Sequence, residues 1–212
     1  MVQTRVPFST AQHLVLDDVS WSFYEKVLEE IDDGSVRVTF DDGRIEIMSP
    51  LPEHGRIGNW MGRLIETMAL ERGIDVVGMG ATTFRDAAAR KGLEPDECYY
   101  IQHAADAREM EGKYDPAIHM PPDLAIEVEV TRKVLAHEPI YARLGVPELW
   151  RVSASGIQCR RLSNSGVYDD VERSVAFPFL TPSELMQWGQ RLSRESSLAV
   201  LPDFKVWVRS LA

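Results

Sequence analysis

Residues 123–130, DLAIEVEV, constrain the fold of this chain more than any other stretch. Successive side chains of a strand point to opposite faces. Leu124, Ile126, Val128 and Val130 therefore make one wholly aliphatic face, which must pack against a helix, while Asp123, Ala125, Glu127 and Glu129 share the other. Three like charges on one face raise one another's pKa and destabilise a fold unless a cation or base compensates. Two readings follow: the acidic face lies at a sheet edge open to solvent, or it holds a metal, since hard divalent cations prefer carboxylate oxygens. A second acidic element, Glu94-Pro95-Asp96-Glu97, favours the metal reading. Pro95 fixes the approach to the next strand and sets Asp96 at its start. A carboxylate from the end of one strand and another from the middle of its neighbour can bracket Mg²⁺, which polarises a phosphoryl oxygen and lowers the pKa of a bound water.

The rest of the chain reads as α/β with a mixed central sheet flanked by helices. Helical spacing of Phe23, Tyr24, Val27, Leu28 and Ile31 predicts a helix over residues 21–31, capped by Ser20. Alternating runs at 36–40 and 44–48 around Asp41-Asp42-Gly43 predict a hairpin. Pro50 and Pro52 stop the second strand. Ile57, Trp60, Met61, Leu64, Ile65 and Met68 then mark a long amphipathic helix ending at Gly73. Short strands are expected at 75–77, 82–85 and 97–101, then the strand at 123–130 and a helix over 134–144 that stops at Gly145. Strands at 149–152, 157–162 and 167–170 follow, with helices near 183–190 and 204–211. A chain of 212 residues builds one sizeable core. The expected division is an N-terminal helical segment at 1–35, the core at 36–180, and a C-terminal helical extension at 181–212 packed on the same domain.

The net charge of -10 argues against a general nucleic-acid coating protein, whose affinity would come from Lys and Arg. It is compatible with a carboxylate-rich nuclease that has a local basic rim. No apolar run approaches the roughly 20 residues of a membrane span. The first ten residues carry no apolar core, so a secretory leader is not expected and a cytoplasmic location is. Cys98 and Cys159 form no CxxC pair and read as reduced structural thiols. His103 and His119 have no partner at metal-ligand spacing, and His54 opens the long helix as either a site or a capping residue. Trp150 reads as core. The terminal stripe Phe204, Trp207, Val208 and Leu211 is either core or the surface of a homodimer.

Four motifs, in order, resemble the Uma-two family, a restriction-endonuclease-like group within the PD-(D/E)XK nuclease superfamily. They are residues 44–50 (RIEIMSP) with His54-Gly55, residues 92–101 (GLEPDECYYI), residues 121–128 (PPDLAIEV) and residues 141–151 (YARLGVPELWR). The similarity covers roughly residues 36–180. It implies a restriction-endonuclease-like core and a site using Mg²⁺ or Mn²⁺ to hydrolyse nucleic-acid phosphodiesters, with DNA favoured as substrate. Asp96 and Glu127 would be the principal carboxylates, with Asp123 as a further metal ligand and Glu46 in support. The chain departs from the superfamily pattern at Glu129, where a lysine normally lies. The resemblance implies that a basic residue on the following helix takes its place; that position is His137, with Lys133 and Arg132 one turn earlier. The alternatives are a catalytically silent nuclease-fold module that binds nucleic acid or a protein partner, and a small-molecule hydrolase using the same carboxylates.

Overall fold

A computed structural model describes residues 12–31, 36–130 and 134–211. The first ten residues, together with Arg132 and Lys133, lie outside the described residues.

The N-terminal part builds a five-stranded antiparallel sheet. Strand β1 (Gln12–Leu16) is followed by helix α1 (Trp21–Glu30) and the hairpin β2 (Arg37–Asp41) and β3 (Arg44–Ser49). Ser20 caps α1 by accepting from the Phe23 N–H at 3.1 Å. Asp42 and Gly43 turn the hairpin with φ of 46° and 98°, the left-handed pair that a two-residue turn between right-twisted strands requires. Tyr24 of α1 stacks on Phe40 and packs with Val38 and Ile45, closing a small core. Helix α2 (Pro52–Arg72) leaves this sheet and ends where Gly73 adopts φ of 63°. After β4 (Val77–Gly78), strands β5 (Phe84–Asp86) and β6 (Lys91–Leu93) return to complete the order β1-β3-β2-β6-β5.

The second sheet carries the predicted central strand. Strand β7 (Glu97–Tyr100), helix α3 (Ala104–Arg108), β8 (Leu124–Glu129), α4 (His137–Leu144), β9 (Glu148–Ser153), β10 (Gly156–Leu162) and β11 (Tyr168–Val171) follow in turn. The order is β11-β10-β9-β8-β7-β4. Only β8 and β9 pair in parallel, joined across α4; their neighbours pair antiparallel, so the sheet is mixed. Strand β8 is interior and Glu127 is buried, which removes the reading of its acidic face as a solvent-open edge.

The two faces of β8 are covered differently. Leu124 and Ile126 join Met61, Leu64, Ile65 and Met68 of α2 in the larger core. Ala125, on the opposite face, packs with Ile140, Tyr141 and Leu144 of α4, and Leu93 of β6 closes the same cluster. Helix α4 therefore lies between the two sheets. Helices α5 (Pro182–Arg194) and α6 (Ser197–Ser210) lean on α2. Phe204 and Val208 are fully buried there, and Trp207 rests against Trp188 and Phe204. Phe204 and Val208 of the terminal stripe are thus core, while Trp207 and Leu211 are part-exposed.

Candidate functional site

The antiparallel ladder places Glu97 opposite Ile126, and Asp96 stands just before β7, beside the stretch of β8 that carries Glu127. The Asp96 N–H donates to Ile126 O at 3.1 Å. Pro95 has no N–H to extend the ladder, and the Val128 N–H is accepted by the Asp96 side chain, Oδ2, at 2.7 Å. The Pro-Asp pair thereby ends β7 and turns a carboxylate toward the middle of β8. His54, buried in the first turn of α2, holds Nδ1 3.7 Å from Asp96 Oδ1.

Glu127 points at α4. Tyr141 Oη donates to Glu127 Oε1, and His137 Nδ1 lies 3.0 Å from the same oxygen. A carboxylate can only accept, so that ring nitrogen carries the proton. His137 Nε2 then faces Thr39 Oγ1 of β2 at 3.2 Å. Burial foremost, and the Asp96 charge next, push the Tyr141 phenol well above its ordinary pKa, so it stays a donor through the neutral range.

Glu46 of β3 is buried and accepts from His13 Nδ1 at 2.7 Å, Val134 N at 3.1 Å and Leu135 N at 3.0 Å. Burial alone would raise its pKa. The hydrogen bonds from Leu135, His13 and Val134 outweigh that cost and hold the carboxyl below the usual range. Glu46 therefore ties the first sheet to the start of α4 and so fixes where His137 stands.

Asp123 is used elsewhere. Its carboxylate accepts from Ile101 N at 2.6 Å, His103 N at 3.1 Å and His103 Nδ1 at 2.7 Å, which caps the turn into α3. It stands four residues, about 13 Å of strand, from Glu127. The structure brings Asp96, Glu127, His137 and Glu46 around one region and leaves Asp123 outside it. Among the described residues, no three His, Cys, Asp or Glu side chains are placed to hold one metal ion. Two carboxylates, as from Asp96 and Glu127, are a donor set of the kind Mg²⁺ takes, with waters and substrate phosphate completing its shell.

Glu129, standing where the superfamily has lysine, is also compensated. Arg151 of β9 lies opposite Glu127 in the parallel ladder and donates from Nε to Glu129 Oε1 at 2.7 Å. Its Nη1 reaches Glu138 Oε1 at 3.1 Å, and Arg160 binds the same carboxylate. The Glu129 hydrogen bond, against a smaller opposing effect of burial, raises the Arg151 pKa further. A cleft of about 650 Å³ opens here, lined by Glu127, Glu129, His137, Glu138 and Arg151.

Sequence reasoning passed over Tyr141, Thr39, His13 and Arg151. Tyr141 had a usable signal, since it follows His137 by four residues and so shares its helix face. Thr39 and His13 reach the site only through tertiary packing.

No curated protein matches the sequence. A crystal structure described as "a putative nuclease belonging to DUF820", from Anabaena variabilis, superimposes with a TM-score of 0.54 at 13% identity. The match covers 87% of this chain and 98% of that one, so the two share a fold. The family described as "Uma2: Putative restriction endonuclease" matches residues 21–195, and the chain belongs to that family.

Proposed function

We propose that this chain is a metal-dependent endonuclease that hydrolyses nucleic-acid phosphodiesters, with DNA as the favoured substrate. The reading rests foremost on two carboxylates at one stretch of β8: Asp96, whose side chain accepts the Val128 N–H, and buried Glu127, which lines an open cleft. These two carboxylates would hold Mg²⁺ or Mn²⁺, which when bound supplies a polarised phosphoryl oxygen and a water of lowered pKa. Asp123 is omitted from the ligand set because its carboxylate caps the turn before α3.

The remaining residues have distinct tasks. Tyr141 and His137 fix the Glu127 carboxylate from one side, so its orientation does not depend on the substrate. Glu46 fixes the backbone at 134–135 and thereby His137. Both His137 and Glu46 are positioning residues. The positive charge that lysine would bring is assigned to Arg151 at the cleft wall, with Lys133 as the alternative donor. Arg151 has the planar fork that matches a phosphate.

The test is incubation with supercoiled plasmid DNA and with single-stranded RNA, in Mg²⁺, in Mn²⁺ and in chelator. Metal-dependent nicking of the plasmid, lost in Glu127→Gln, is expected. A second reading, a silent binding module, draws on Glu129 standing in the lysine position and being neutralised by Arg151. Retained nucleic-acid binding without any cleavage would favour it.

A further inference from the structure

A second cleft, of about 430 Å³, lies between α1, β2 and the segment 81–94, away from the Glu127 wall. Among the described residues, Arg37, Arg85 and Lys113 reach it against one lining carboxylate, Glu94, in a chain whose net charge is -10. Each arginine is only loosely paired: Arg37 Nη1 stands 3.6 Å from Glu94, and Arg85 Nη1 stands 3.7 Å from Glu25. Arg37 Nε is buried and has no hydrogen-bond partner among the described residues. Lys113 makes no ion pair among them either. Thr83 Oγ1 donates to Glu94 Oε1 at 3.0 Å, so that carboxylate is held by a neutral donor as well as by Arg37. The cleft's apolar lining comes from Leu28 and Ile31 at the end of α1 and from Tyr114.

We propose that this cleft is a second ligand site, taking a nucleoside monophosphate, free or at a strand end. The phosphate would sit against Arg37, Arg85 and Lys113, and the base against Leu28, Ile31 and Tyr114. The volume is that of a small-ligand site. Guanidinium forks and an ammonium group give phosphate charge-assisted hydrogen bonds. The site is independent of metal chemistry at Glu127, so it stands or falls separately from the nuclease reading.

The test is calorimetric titration of the full chain with deoxyadenosine monophosphate, deoxyadenosine and inorganic phosphate. The nucleotide is expected to bind more tightly than either fragment. Arg85→Met and Lys113→Ala should each weaken it by roughly tenfold or more, as loss of a charge-assisted bond implies, while leaving the melting temperature unchanged. Arg85→Lys should fall between. Glu127→Gln should leave nucleotide affinity as it is. Absence of binding at millimolar nucleotide would overturn the proposal. So would equal affinity in Lys113→Ala and Arg85→Met, or affinity lost only in Glu127→Gln, which would put the ligand in the other cleft. Phosphate binding as tightly as the nucleotide would overturn the assignment of the apolar lining.

Discussion

Replacing Glu46 by alanine tests how the two sheets are held in register around α4. The carboxylate accepts two backbone N–H groups and one imidazole. Val134 is about half exposed, so water can satisfy its N–H after the substitution; Leu135 is 3% exposed, and its N–H cannot be reached. The cost is therefore close to that of one buried unsatisfied donor, about 1–3 kcal/mol. Glu46→Gln should fare little better, because its amide nitrogen would face a second donor at Leu135. The pH dependence follows from the lowered Glu46 pKa. A carboxyl depressed in the fold adds stability that is complete above its unfolded value, about 4.3, and is lost as pH falls through the folded value. Urea unfolding of the native and alanine chains should thus differ fully at pH 7 and converge in acid. Equal stabilities at pH 7, or a gap that widens on acidification, would refute this account of Glu46.

Other substitutions probe the remaining supports. A Cβ on Gly189 would lie 2.5 Å from Trp60 Cζ3 where α5 meets α2. Gly189→Ala should therefore cost about 1–3 kcal/mol by overpacking, seen as a lower Tm, and an unchanged Tm would mean that Trp60 yields freely. Thr181 forms a capping box with Glu184 at the start of α5, so Thr181→Ala should lose about 1 kcal/mol in urea unfolding. Glu127→Ala should also destabilise, by about 1–3 kcal/mol, since buried Tyr141 Oη loses its acceptor; a gain in stability would mean that carboxylate crowding dominates instead.

That last contrast shows where the sequence was readable. Local chemistry gave α1 from its Ser20 cap, the hairpin from Asp42-Gly43, and the end of α2 at Gly73, because each depends on neighbours a few residues apart. The strand at 123–130 was legible from alternation, and the start of the neighbouring strand beside Asp96 from the proline before it. Charge crowding on that strand suggested repulsion awaiting a metal. In the structure each carboxylate of the strand has its own partners: Asp123 at the α3 turn, Glu127 at Tyr141 and His137, and Glu129 at Arg151. None of these partners lies within the strand itself, and strand periodicity carries no information about them. The separate five-stranded sheet was equally hidden. β1 pairs with β3 about thirty residues away, and β6 is a three-residue strand below the reach of any alternation pattern.

The central claim is that Asp96 and Glu127, without Asp123, hold a divalent ion. Calorimetric titration with Mn²⁺ of the native chain, Glu127→Gln and Asp123→Asn tests it most directly, with circular dichroism confirming that each variant is folded. The account predicts saturable binding to the native chain, loss of it in Glu127→Gln and its retention in Asp123→Asn. Undiminished Mn²⁺ affinity in folded Glu127→Gln, or loss of binding confined to Asp123→Asn, would contradict it.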